Sequence, residues 1–313
     1  MTERTSVGPD LLSGPTAVVG RAREIELLVA ALEAGAHVLL EGPPGTGKTT
    51  LLRAVAEQEL FDSNGAPRRA PFVFVEGNAE LTPARLVGHF DPALVLERGY
   101  GPDTFVDGPL AEALRAGALL YVEETNRIPE ETLNVLITVM SEGELTVPRF
   151  GRIVAADGFR LVAAMNPFDA VGTARISSAI YDRVCRITMG YQDAGDEFDI
   201  VKQRAPEGSA LWRSRVVDLV RRTREHSDIR VGSSVRGAID MSRLAGALAR
   251  RRDVDLEDWH VGLDAALVAL SGRVRLAEST GRVAEDVVRE LYAAVFGAEP
   301  RDADDGGDAP GGA

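Results

Sequence analysis

Residues 37–50 read HVLLEGPPGTGKTT. The apolar run His37–Leu40 predicts a buried strand, and a helix is expected to begin near Thr49. Between them Gly42-Pro43-Pro44-Gly45-Thr46-Gly47-Lys48-Thr49 fits the pattern G-x-x-x-x-G-K-S/T. A strand, this loop and a helix in that order make a phosphate cradle. Glycines let backbone amides turn inward without a Cβ clash. The helix N-terminus adds free N–H groups and the positive end of its dipole. Lys48 brings a compact charge to the β- and γ-phosphates, and the Thr49 hydroxyl suits Mg²⁺. The chain has 35 basic residues, of which only Lys48 and Lys202 are lysines. A lysine kept at this position therefore stands out from an arginine-biased background.

Outward from the loop, strands and helices alternate. Phe72–Val75, Ala118–Val122, Phe159–Met165 and Val184–Met189 are further predicted strands. Four of the five are continuous apolar runs, the signature of parallel strands covered on both faces, whereas VCRITM alternates more and suits an edge. Leu133, Leu136, Ile137 and Met140 fall on one helical face, and Gly143 follows as a stop. The expected fold is a three-layer α/β/α parallel sheet over residues 15–192. Beyond it Ala210–Arg224, Ser234–Arg251, Leu256–Leu270 and Val283–Phe296 read as amphipathic helices, so an all-helical domain is expected over 193–297. Residues 1–14 read as a loose N-terminus. Residues 298–313, AEPRDADDGGDAPGGA, read as a disordered acidic tail, too poor in large apolar groups to offset chain entropy.

Two further elements suit the chemistry of a bound triphosphate. LLYVE ends a strand at Glu123, and Glu124 follows. Carboxylates at the carboxyl edge of an open α/β sheet lie where ligands bind. One could hold hydrated Mg²⁺ and the next could polarise an attacking water; taken alone, the pair is equally a solvated strand end. Asn166 follows FRLVAAM and could orient that water, or simply start a turn with Pro167. Phosphoryl transfer also calls for a cation at the γ-phosphate. Arg183 in SSAIYDRV and Arg236 in VGSSVRGAI are the candidates by position. An arginine at a helix start opposes the dipole, which gives Arg236 a reason to be there beyond local stability.

The order of these elements resembles an AAA+ ATPase, and the local sequences resemble the MoxR family within it. The resemblance rests on VVGRAREIELLVAAL, HVLLEGPPGTGKT, FVDGPLAEALRAGALLYVEETNRIPEETLNVLITVMSEGEL, FRLVAAMNP and AIYDRV, with VGSSVRGAI extending it beyond residue 192. It implies that Gly42–Thr49 is Walker A, with Thr50 beside it, and that Val19 and Gly20 lie near the adenine. It implies Glu123 and Glu124 as Walker B, with Thr49 and Glu123 on the metal. It implies Asn166 as sensor 1, Arg183 as the arginine finger and Arg236 as sensor 2. ATP and Mg²⁺ follow as ligands, and a ring, usually a hexamer, in which Arg183 reaches the neighbour's nucleotide. Residues 83–107 resemble the family's helix-2 insert, and residues 144–159 its β-hairpin insert. The implied activity is that of a chaperone that remodels or assembles a protein client, together with a partner carrying a von Willebrand factor A domain. In one departure, the family's Asp-Glu is Glu123-Glu124 here, which sets the first carboxylate one methylene further out. Slow turnover is the expected consequence. A nucleic-acid motor or regulator and a slow nucleotide-gated scaffold are the alternative activities.

Composition narrows these choices. The formal net charge of −13 opposes sequence-independent nucleic-acid binding, which needs phosphate neutralisation. Apolar runs stay short of the ~18 residues a membrane span requires. The N-terminal sequence lacks the pattern of a secretory signal, and one cysteine, Cys185, suits a reducing cytoplasm. Cys185 is expected to be buried in its strand. His37, His89, His226 and His260 show no metal-ligand spacing, and His37 is expected to pack near the start of its strand. A covalent nucleophile motif such as G-x-S-x-G is absent from the sequence.

Overall fold

The computed structural model describes residues 18–57, 60–61, 67–68, 71–167 and 178–300. The expected loose N-terminus and the tail from residue 301 lie outside the described residues. The chain divides into two compact units, one ending at Tyr191 and the other starting at Gln192.

In the first unit β1 (His37–Glu41), β2 (Phe72–Glu76), β3 (Leu119–Glu123), β4 (Arg160–Met165) and β5 (Val184–Thr188) form one sheet in the order 5-1-4-3-2. Every pair in it is parallel. Within each apolar run, successive side chains point to opposite faces. Val38, Leu40, Tyr121, Val162 and Ala164 pack with Ile25 and Leu28 of α1 (Ala22–Glu33) and Leu51, Leu52 and Val55 of α2 (Lys48–Ala56). On the other face Leu39, Leu120, Val122 and Ala163 meet α5 (Pro109–Ala116) through Leu110 and Leu114, and α6 (Glu130–Glu142) through Leu133 and Leu136. A continuous apolar run is thus what a strand between two helical layers requires, at about 1.5–3 kcal/mol for each large side chain fully buried.

Both edges of the sheet depart from the simple reading. β5 is an edge strand, as its alternation indicates, but Cys185 on it is exposed, not buried. The outward side chains of an edge strand lack a covering layer. β2 forms the other edge although its run is continuous, and Phe74 is 40% exposed. Arg53 spreads its guanidinium over the Phe72 and Phe74 rings, which covers part of that apolar surface.

The two insertions are ordered. After α3 (Pro83–Val87), Gly88–Phe90 pairs antiparallel with Phe105–Asp107. Between these strands stands α4 (Pro92–Arg98), capped by Asp91, whose carboxylate accepts from the amides of Ala93 and Leu94. Glu144–Val147 and Gly151–Val154 form the second hairpin, as the sequence suggests, turning through Arg149 at φ 65°. Aromatic rings join the two. Phe90 lies 5.0 Å from Tyr100 and 5.1 Å from Phe105, Phe105 lies 4.8 Å from Phe150, and Arg149 stacks 4.2 Å over Tyr100. α7 (Ser178–Tyr181) then leads into β5.

The second unit holds α8 (Ala194–Arg204), α9 (Ala210–Glu225), α10 (Val235–Arg252), α11 (Trp259–Leu270) and α12 (Ala284–Phe296) around a core that includes Trp212, Met241 and Tyr292. It is helical as expected, with two additions. Ile229–Val231 pairs with Arg275–Leu276 in a ribbon too short to leave a period in the sequence, so strands do not stop at residue 192. α8 has no counterpart among the expected helices, because AGDEFDIVKQR is mostly polar. Asp193 caps it, and its buried Glu197 accepts from Arg221 at 3.2 Å and Arg224 at 2.7 Å on α9. Among the described residues, no helix is long and apolar enough to cross a membrane.

Candidate functional site

The phosphate loop leaves β1 at Gly42 and enters α2 at Lys48. A Cβ at Gly42 would stand 2.1 Å from the Met189 carbonyl oxygen, so the loop can pass the segment after β5 only as glycine. Gly47 caps α2 in the left-handed region. The first turn of α2 contains no acidic residue and begins with Lys48, an arrangement the dipole disfavours. A bound polyanion reverses that penalty. Lys48 is buried and its Nζ donates to the carbonyls of Gly42 at 2.8 Å and Pro43 at 2.9 Å. The ammonium is thereby held against the first residues of the loop.

Register brings the other strand ends to the same edge. Glu41 is level with Met165, and Glu76 with Glu123. Gly42 and Asn166 therefore follow their strands side by side, and Glu124 follows β3 one residue short of them, beside Gly77. The Thr49 hydroxyl donates to Glu123 Oε1 at 2.7 Å and lies 3.4 Å from the hydroxyl of Tyr121. Tyr121 is fully buried, and desolvation raises its pKa, so it stays a neutral phenol. Glu124 sits at φ 50°, a left-handed conformation that costs a residue with a Cβ about 1–3 kcal/mol. Its carboxylate pairs with Arg127 at 2.8 Å. Asn126 reaches across to the Asn166 carbonyl at 3.4 Å.

Arg183 is placed elsewhere. It adjoins Val184, which is level with His37, the first residue of β1. The loop leaves β1 after Glu41, four residues on, or about 13 Å along the strand. Arg183 donates to Ser141 Oγ at 2.5 Å, near the end of α6, and to the Ala179 carbonyl at 2.8 Å. It thus stands at the opposite end of the sheet from its own phosphate loop. Arg236 belongs to the second unit, exposed in the first turn of α10. Val19 and Gly20 precede α1, with Gly20 at φ 68°.

Several residues at this edge gave no signal in the sequence. Arg21 is 3% exposed and donates to the carbonyls of Thr46 at 3.0 Å and Gly190 at 2.6 Å and to Glu24 at 2.7 Å, pinning the loop to α1. Nothing distinguishes it by sequence from the other arginines. Gly77 permits the turn after β2, since a Cβ there would stand 2.6 Å from the Glu124 carbonyl oxygen. Glu41, a buried acid closing an apolar strand, accepts from Tyr181 at 2.7 Å and Arg186 at 2.5 Å. Desolvation, and then the bond to Glu41, push the Tyr181 phenol up to about 12.

A parallel sheet with this loop, a hydroxyl–carboxylate pair beside it and amides on the same edge defines a P-loop nucleoside triphosphatase. Comparison with known proteins narrows the class. Residues 37–184 match the AAA domain (dynein-related subfamily). YeaC of Bacillus subtilis is 30% identical over 312 residues, covering 89% of this chain and 90% of that one. The gas vesicle ATPase GvpN of Ancylobacter aquaticus is 30% identical over 292 residues, covering 84% and 75%. A RuvB variant of Thermotoga maritima shares the fold with a TM-score of 0.53 and 18% identity, covering 82% of this chain and 72% of that one. The chain belongs to the AAA+ ATPases: it binds nucleotide and hydrolyses ATP.

Proposed function

We propose that the protein is a MoxR-type AAA+ ATPase of the cytoplasm, working as a ring, usually of six subunits, that uses ATP hydrolysis to remodel or assemble a protein client. The observation that carries the ring reading is the place of Arg183, at the far end of the sheet from its own phosphate loop. A guanidinium there serves a nucleotide only if that nucleotide belongs to another subunit. In this reading Gly42–Thr50 and Lys48 hold the phosphates, and Val19 and Gly20 border the adenine. Glu124 takes the proton of the attacking water, and Asn166 orients that water. Water oxygen bonds to the γ-phosphorus as the bridge to the β-phosphate breaks, with Arg183 of the neighbour and Arg236 stabilising the charge.

Thr49 and Glu123 present adjacent hard oxygen donors, the kind Mg²⁺ takes, so they would hold it. The ion supplies neutralisation of the charge building on the phosphates. The Thr49–Glu123 contact supports Glu123 in this role despite its extra methylene. The client reading is supported by the first insertion, whose α4 carries Leu96 at 90% exposure and is followed by the exposed Tyr100. The von Willebrand factor A partner rests on the MoxR resemblance.

The test is turnover in Arg183→Ala and Glu124→Gln proteins. Both are expected to bind ATP and to lose hydrolysis, and unsubstituted turnover per subunit is expected to rise with protein concentration as rings form. Hydrolysis by isolated Arg183→Ala subunits at the unsubstituted rate refutes the reading.

A further inference from the structure

We propose that Glu41 and Tyr181 are positioning residues that hold Arg183 in place for the neighbouring subunit's nucleotide. The proposal rests on the reading of Arg183 as a residue that acts in trans. Glu41 is the last residue of β1 and is bonded directly to Gly42, where the phosphate loop begins. It is 2% exposed. A carboxylate buried at a strand end is costly unless its oxygens are bonded. Here each oxygen has its own donor: the Tyr181 hydroxyl on Oε1 at 2.7 Å and Arg186 Nε on Oε2 at 2.5 Å.

Tyr181 is the last residue of α7, two before Arg183. The Arg183 guanidinium bonds back to this helix through the Ala179 carbonyl at 2.8 Å. A continuous path of contacts follows. Lys48 bonds the Gly42 carbonyl at 2.8 Å, Gly42 is joined to Glu41, Glu41 holds Tyr181, and α7 carries Arg183. The described residues of α7 amount to one turn, and Tyr181 at its end is tied to β1 by a side-chain bond. This bond to the root of the phosphate loop acts on the guanidinium through α7, alongside the direct bond from Arg183 to Ser141 Oγ. The Glu41–Tyr181 bond spans 140 residues of sequence, so it fixes tertiary position and not local structure.

Subunit mixing separates this role from a merely structural one. Subunits with Arg183→Ala keep a working nucleotide site but offer no guanidinium. Subunits with Glu124→Gln offer the guanidinium but do not hydrolyse. Their mixture is expected to recover turnover in the first kind. Tyr181→Phe, which deletes only the hydroxyl, is then placed in one kind or the other. In the Glu124→Gln donor it is expected to lower the recovered turnover about tenfold, the effect of losing one hydrogen bond to a charged group. In the Arg183→Ala acceptor, where there is no guanidinium to position, it is expected to change neither turnover nor binding of a fluorescent ATP analogue. Equal losses from both placements, or a loss from neither, overturn the tether while leaving the trans reading intact. No recovery from the mixture with Tyr181 unsubstituted overturns the trans reading, and the tether falls with it.

Discussion

His37 opens β1 and links proton binding to the stability of the nucleotide-binding unit. Its Nδ1 accepts the Leu161 amide at 3.0 Å, and its ring lies edge-on to Phe159 at 6.0 Å. Burial, reinforced by the charge of Arg160, holds its pKa down from 6.5 to about 4. Packing is thus the role the sequence suggests, with a titration attached. The folded state stays neutral where the unfolded chain takes up a proton. The stabilisation is therefore fully present above pH 6.5 and is lost as pH falls toward 4. From pH 7 to pH 5 the loss attributable to this one group is about 2 kcal/mol. Urea unfolding followed by far-UV circular dichroism at the two pH values measures it, in native protein and in His37→Gln. Every other titrating group is common to both, so the difference between the two pH slopes isolates His37. The variant is expected to be less stable at pH 7 and to lose about 2 kcal/mol less on acidification. Equal slopes would mean that the imidazole titrates normally in the fold, and burial at the start of β1 could not then be what keeps it neutral.

Further outcomes follow from the same contacts. Gly42→Ala forces the loop away from the Met189 carbonyl and is expected to weaken nucleotide binding tenfold or more, about 1.4 kcal/mol, in a fluorescence titration; an unchanged Kd contradicts the close approach. Glu197→Ala leaves Arg221 and Arg224 without their carboxylate and is expected to destabilise the second unit by about 3 kcal/mol. Both tryptophans, Trp212 and Trp259, lie in that unit, so their fluorescence reports the change. Phe150→Ala breaks the ring contact between the two insertions and is expected to speed amide exchange over residues 88–107 without changing basal ATP turnover. Deleting Val95–Gly101 is expected to leave basal turnover intact and to remove client remodelling; lost ATP binding would place this segment in the nucleotide site.

How much of the fold is legible in the sequence depends on how local its cause is. The phosphate loop is legible because backbone geometry dictates residue type within eight positions, as the close approach of Gly42 to the Met189 carbonyl illustrates. The five strands are legible because two covering layers demand unbroken apolar runs. β2 shows where that inference stops: its run matches the central strands, but its edge position follows from sheet order. α8 shows the converse, a polar helix held by ion pairs that periodicity does not weigh. Cys185 follows the same logic, since exposure on an edge strand is decided by what fails to cover it.

The site divides along the same line. Glu123, Glu124 and Asn166 could be named one strand at a time, because the first closes a strand, the other two each follow one, and parallel register does the rest. Arg21 could not, because the carbonyls it holds belong to Thr46 and Gly190, 25 and 169 residues away. Arg183 lies between these cases. Its position before the last strand suggests a finger, but only register shows that it faces away from its own loop. The parallel sheet that brings the ends of β1, β2, β3 and β4 to one side necessarily sends their opposite ends to the other. In the proposed ring, a guanidinium placed at that far end is available to a second subunit by the same topology that denies it to the first.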